Sequence, residues 1–139
     1  MSAEVIVDLT FSSDPCQLKL VRDAVKEATA PLGLSDKCVS ELIIAVNEAC
    51  MNIMQHAYRG DPSGQIGLKI RHEGRELKVL IEDSAAPVDL AAIAPRDLDD
   101  LRPGGLGTYF IHEIMDDCQY GHREGDCGNY LKMSKRIDE

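Results

Sequence analysis

The stretch Glu41-Leu42-Ile43-Ile44-Ala45-Val46-Asn47-Glu48-Ala49-Cys50-Met51-Asn52-Ile53-Met54-Gln55-His56-Ala57-Tyr58 carries the strongest periodic signal in the chain. With Val39 just before it, the residues Leu42, Ile43, Val46, Cys50, Ile53, Met54 and Ala57 recur every three or four positions, which lines apolar side chains along one stripe of a helix. The spacing predicts a helix from Ser35 or Asp36 to about Tyr58, stopped by the turn Arg59-Gly60-Asp61-Pro62-Ser63-Gly64. At about 100° per residue, with Val39 at zero, Glu48 and Asn52 fall at roughly 180° and 220°, away from the stripe. Ala45 and Ala49 follow at roughly 240° and 280°, small side chains beside which a ligand can approach the helix. A carboxylate and a carboxamide four residues apart can serve one metal-bound phosphate, the amide oxygen on magnesium and the carboxylate taking a proton from a hydroxyl. A solvated helix face shows the same pattern, so the spacing alone does not decide between the two.

Outward from this helix, Glu4 to Thr10 reads as a strand, and Asp14-Pro15 opens a first helix with Gln17 placed for a capping box. Leu18, Val21, Ala24, Val25 and Ala28 form its apolar stripe up to Pro31-Leu32-Gly33. Gln65 to His72 and Glu76 to Glu82 alternate around Glu73-Gly74-Arg75, which predicts an antiparallel hairpin. Ser84 to Pro103, rich in alanine, proline and aspartate, reads as a long, partly helical connection of the kind that acts as a lid. A third helix is expected over roughly Gly107 to Met115, then strands near Asp117 to Arg123 and Cys127 to Lys135. This order predicts an α+β two-layer sandwich, helices gathered on one face of a mostly antiparallel sheet.

The 139 residues suit one domain spanning 1–139. Twenty-four acidic against 15 basic residues give a net charge of −9, which argues against a nucleic-acid partner because phosphate attraction supplies most non-specific affinity. No apolar run reaches the length of about 20 that spans a bilayer, and Met1-Ser2-Ala3-Glu4 does not open like a signal peptide, so a cytoplasmic location with no membrane contact is expected. Cys16, Cys38, Cys50, Cys118 and Cys127 are scattered without a Cys-x-x-Cys pair and read as free thiols, several of them core filler.

Two further elements can carry chemistry. The strand Val79-Leu80-Ile81-Glu82 ends on Asp83, and an aspartate there can accept a hydrogen bond from an exocyclic amine such as that of adenine; it is equally ordinary turn chemistry. Pro103-Gly104-Gly105-Leu106-Gly107-Thr108 precedes an apolar helix, so its amides can face a phosphate at the positive end of the helix dipole. No lysine follows the last glycine, which excludes a Walker motif, and a flexible turn has the same composition.

The quoted stretch resembles the N box of the GHKL ATPases, in the form found in anti-sigma-factor serine kinases of the RsbW and SpoIIAB type. Asp83 matches the aspartate of the next box, Pro103 to Gly107 the glycine box, and Gly128-Asn129-Tyr130-Leu131-Lys132-Met133 the last strand. The likeness runs through nearly the whole chain in order. It implies the Bergerat sandwich, ATP and Mg2+ as cofactors, and a protein serine/threonine kinase. Glu48 is then the general base, Asn52 the magnesium ligand and Asp83 the adenine acceptor. Gly104, Gly105, Leu106 and Gly107 form the phosphate cradle, with the Thr108 hydroxyl beside it. It further implies a small anti-sigma antagonist as phosphoacceptor, a sigma factor as second partner, and a homodimer. One departure stands out: where the family has Asp-x-Gly, this chain has Asp83-Ser84-Ala85, then Ala86 and Pro87. Ala85 brings a methyl group beside the expected adenine and gives up ready access to positive φ. That keeps a second reading open, a nucleotide-binding module that works by partner binding without catalysis.

Overall fold

The computed structural model describes residues 4–86, 111–123 and 128–137. Five strands, β1 (Glu4–Ser12), β2 (Gln65–Glu73), β3 (Glu76–Asp83), β4 (Asp117–His122) and β5 (Asn129–Arg136), form one antiparallel sheet in the order β1-β2-β3-β5-β4. Helices α1 (Leu18–Thr29) and α2 (Asp36–Asn52) cover one face, giving the expected α+β two-layer sandwich. Residues 111–114 form a further helical turn.

Strand alternation builds the core. Ile66, Leu68 and Ile70 of β2, Leu77, Val79 and Ile81 of β3, and Leu131 and Met133 of β5 point to the helices and are all below 5% exposed. They meet Val21 and Val25 of α1 and Leu42, Val46 and Cys50 of α2, so removing this surface from water is the main force joining the layers. The β2–β3 hairpin turns at Gly74, whose φ of 60° lies in the left-handed region that glycine enters freely. The opposite face of the sheet is polar and carries Lys69, Arg71, Lys78 and Lys132.

Local start signals behave mostly as read. Asp14 accepts from Cys16 N at 3.0 Å above a short 3-10 turn (Pro15–Gln17), and Ser35 Oγ caps α2 by accepting from Cys38 N at 3.1 Å. The expected capping box does not close: the Gln17 side chain bonds the Cys16 sulfur instead, because the 3-10 turn changes its direction.

The burial of α2 departs from the expected stripe. Ala45 and Ala49 are buried at 0% and 1% exposure, whereas Val39 and Ile43 are only half-buried. The buried sector is therefore rotated toward the Asn52 side, where α2 packs on α1 and the small alanines are enclosed. The helix also ends differently. Ile53–Ala57 is a π-turn in which Tyr58 N donates to Ile53 O at 3.0 Å, which the 3.6-residue period gives no means of anticipating.

Lys135 links three elements: from β5 its Nζ donates to Ile114 O at 3.2 Å and lies 3.5 Å from Glu41 Oε1 of α2. The four described cysteines are free thiols, and burial pushes Cys50 up to about 12 and Cys118 up to about 11. Cys127 lies outside the described residues.

Leu42→Ala should cost about 2–5 kcal/mol in urea unfolding, because it opens a cavity at a fully buried position. Ile44→Ala, at a position 45% exposed on the same helix, should stay within about 0.5 kcal/mol. Equal effects at the two sites would contradict this assignment of the helix faces.

Candidate functional site

A narrow cleft of about 40 Å3, open to solvent, lies between the end of α2 and the sheet. Ala49, Asn52, Ile53 and His56 form its helical wall, and Asp83, Tyr120, Gly121, Asn129 and Leu131 its sheet wall. The structure thus brings two of the expected site residues, Asn52 and Asp83, to one cavity. Ala49 lines it as well, so the expected close approach to the helix is realised at Ala49, while Ala45 is core.

Asp83 sits at the inward end of an apolar column, opposite Ile66 of β2 and Asn129 of β5 in the ladder, and is 3% exposed. A buried carboxylate needs donors. Its Oδ1 accepts from Ala85 N and from Asn129 Nδ2, both at 2.9 Å, while Oδ2 accepts from no described residue. An acceptor left over on an apolar cleft wall fits an exocyclic amine of a flat base. Gly128, with φ of 145°, packs directly on the Asp83 carbonyl, and a Cβ there would collide with that oxygen. Arg123 Nη1 donates to the same carbonyl at 3.1 Å, with Glu82 beside its Nε at 3.6 Å.

The chain leaving β3 takes a fixed path without glycine. Ser84 N donates to the Tyr58 hydroxyl at 2.8 Å, Ala85 N to Asp83 Oδ1, and Asn129 Nδ2 to Ala86 O at 3.2 Å. Ala85 is buried, is not among the residues lining the cleft, and keeps a negative φ, so its methyl group brings no backbone strain here. Tyr58 is the other end of this tether. Its hydroxyl also donates to Gln65 O at 2.5 Å and accepts from Gln65 N at 3.2 Å, and its ring fills the space a Cβ on Gly64 would need.

Glu48 is half-exposed, one turn before Asn52, and makes no hydrogen bond or ion pair with a described residue. It is not on the cleft wall. Gly104, Gly105, Leu106, Gly107 and Thr108 lie outside the described residues, as does the expected lid from Pro87 to Pro103. Among the described residues no group of three His, Cys, Asp or Glu side chains gathers to hold a metal. Asn52 could offer a cation one amide oxygen from this wall, with phosphate and water completing the shell that magnesium prefers.

Neither Asn129 nor the Tyr58 hydroxyl carries a role that the sequence marks. The contacts that define them join residues 46 and 26 positions away, and no local pattern marks such pairs.

Residues 11–135 match the histidine kinase-like ATPase domain family. The chain is similar to the serine-protein kinase RsbW of Bacillus licheniformis, 26% identical over 140 residues, covering 95% of this chain and 86% of that protein. The serine-protein kinase RsbW of Listeria monocytogenes is 29% identical over 141 residues, covering 96% of this chain and 88% of that one. Among solved structures, the RsbU and RsbW domains of a Mycobacterium tuberculosis protein superpose with a TM-score of 0.68 at 15% identity, over 99% of this chain and 32% of that one. A histidine kinase domain from Erythrobacter litoralis gives 0.54 at 14%, over 88% of this chain and 60% of that one, and these two likenesses concern the fold alone. No helix among the described residues is long and apolar enough to cross a membrane.

Tyr58→Phe should cost about 0.5–1.5 kcal/mol and speed amide hydrogen exchange at Ser84, whose N–H loses its acceptor. Unchanged exchange at Ser84 would contradict the tether.

Proposed function

The chain belongs to the histidine kinase-like ATPase domain family, and from that premise we propose that it is an ATP- and magnesium-dependent protein serine/threonine kinase of the anti-sigma-factor type. The observation that carries the nucleotide half is the buried Asp83 carboxylate, one oxygen held by two donors and the other left on the wall of a cleft that also presents Asn52. Adenine offers an amine to that acceptor where guanine offers a carbonyl oxygen. The kinase half is supported by the similarity to proteins named serine-protein kinase RsbW along most of the chain.

In this reading bound ATP with Mg2+ supplies the phosphoryl group. Asn52 Oδ1 is the protein ligand to the cation, and the Glu48 carboxylate takes the proton from the attacking serine or threonine hydroxyl. The Gly104 to Gly107 amides, with the Thr108 hydroxyl, hold the phosphates. Glu48 stands one helical turn from Asn52, on the exposed side, where a protein hydroxyl can reach it while the base stays in the apolar part of the cleft. The phosphoacceptor is a small anti-sigma antagonist and a sigma factor is the second partner, exchanged in a partner-switching cycle. The protein acts in the cytoplasm as one domain, paired as a homodimer. The non-catalytic alternative loses its main support in the geometry of Ala85, which takes ordinary backbone angles and gives its N–H to Asp83.

Glu48→Gln should keep Mg-ATP affinity and lower phosphoryl transfer to the antagonist by roughly 10² to 10⁴-fold. Asn52→Ala should lower affinity and transfer together, because it loosens the cation itself. If wild-type protein moves no labelled phosphate to its antagonist and Glu48→Gln changes nothing, the kinase reading gives way to the binding module.

A further inference from the structure

We propose that Asn129 is a positioning residue for base selection: its carboxamide fixes the Asp83 carboxylate so that one defined oxygen, Oδ2, is presented to the base. The inference rests on the adenine reading above. A carboxylate turns broadly about its terminal torsion, so an unrestrained aspartate offers either oxygen in many directions. Here Oδ1 has two donors, Ala85 N and Asn129 Nδ2, and turning the group breaks both bonds.

Asn129 is suited to this because Nδ2 has two N–H donors. One serves Asp83 Oδ1 at 2.9 Å and the other Ala86 O at 3.2 Å. A hydroxyl in its place has one donor, an ionised carboxylate none. The side chain is itself held: it is 6% exposed, points inward on β5 opposite Asp83, and follows Gly128, whose lack of a Cβ lets β5 lie against the Asp83 carbonyl. Asn129 thereby ties the carboxylate to the departing chain, and the segment Asp83-Ser84-Ala85-Ala86 keeps its shape without a glycine. A fixed acceptor distinguishes an amine from a carbonyl oxygen sharply, while a freely turning carboxylate can swing away from the carbonyl and admit either base.

The test is calorimetric titration of wild type, Asn129→Ala and Asn129→Asp with Mg-ATP and Mg-GTP, with thermal unfolding as the folding control. Wild type should prefer ATP. Asn129→Ala should lose ATP affinity on the order of tenfold with little change for GTP, so that the ratio between them shrinks. A general weakening of the fold lowers both alike. Asn129→Asp sets two carboxylates within hydrogen-bond distance, and near pH 8 its ATP defect should be the larger. As the pH is lowered the pair takes up one shared proton, which restores a donor to Asp83, and the defect relative to wild type should shrink. Arg123, Glu82, His122, His56 and Tyr58 surround the pair and are common to both proteins, so the ratio of variant to wild type isolates the substituted position. Should Asn129→Ala lose its cooperative melt, the pH profile of the near-isosteric Asn129→Asp decides. An unchanged ATP-to-GTP ratio in Asn129→Ala, or a defect in Asn129→Asp that ignores pH, overturns the role of Asn129 while leaving the adenine reading in place. A wild type that binds neither nucleotide overturns that reading and this inference with it.

Discussion

A carboxylate 3% exposed at the edge of an aliphatic core is the constraint around which this end of the molecule is built. An ionised group withdrawn from water is strongly unfavourable unless hydrogen bonds replace the lost solvent. Asp83 receives them from its own departing chain and from the facing strand, and its carbonyl is covered by Arg123 and Gly128. Both carboxylate donors act on the same oxygen, Oδ1. The arrangement leaves an acceptor facing an apolar cleft, which is poor design for stability alone and good design for recognising a donor-bearing ring.

Helix α2 combines a buried sector with one wall of the cleft, and it ends irregularly. Leu42, Ala45, Val46, Ala49 and Cys50 are buried, Asn52 lines the cleft that faces the sheet, and Glu48 stands half-exposed outside it. The π-turn at Ile53–Ala57 redirects the chain after Asn52, and Tyr58 then reaches back to the first residue beyond β3. Through that hydroxyl, the two walls of the cleft are joined at its rim as well as through the core.

Much of this was legible from residues that act on near neighbours. The α2 helix, the Asp14 and Ser35 caps and the Gly74 hairpin all follow from spacings of four residues or fewer, and the strand count follows from the alternating runs. Where reasoning from the chain alone fell short, the deciding contact was remote. The tilt of the buried sector toward Ala45 and Ala49 depends on where α1 and the sheet press on the helix, which no helical wheel contains. The capping box expected at Gln17 fails because a 3-10 turn intervenes. The harmless backbone at Ala85 could not be read from the residue type, since only the path of the loop says whether positive φ is needed. Asn129 carries no signal of its own; its meaning comes from standing opposite Asp83 in the sheet.

The central claim is that the nucleotide base occupies the cleft between α2 and the β3–β5 pair. Amide chemical-shift mapping on addition of Mg-ATP tests it directly, since it reports position along with binding. The account predicts the largest shifts at Ala49, Asn52, Asp83, Ala85 and Asn129, with the open sheet face at Arg71, Lys78 and Lys132 scarcely moved. Shifts concentrated on that open face, or none at the Asp83–Asn129 pair under saturating nucleotide, would contradict it.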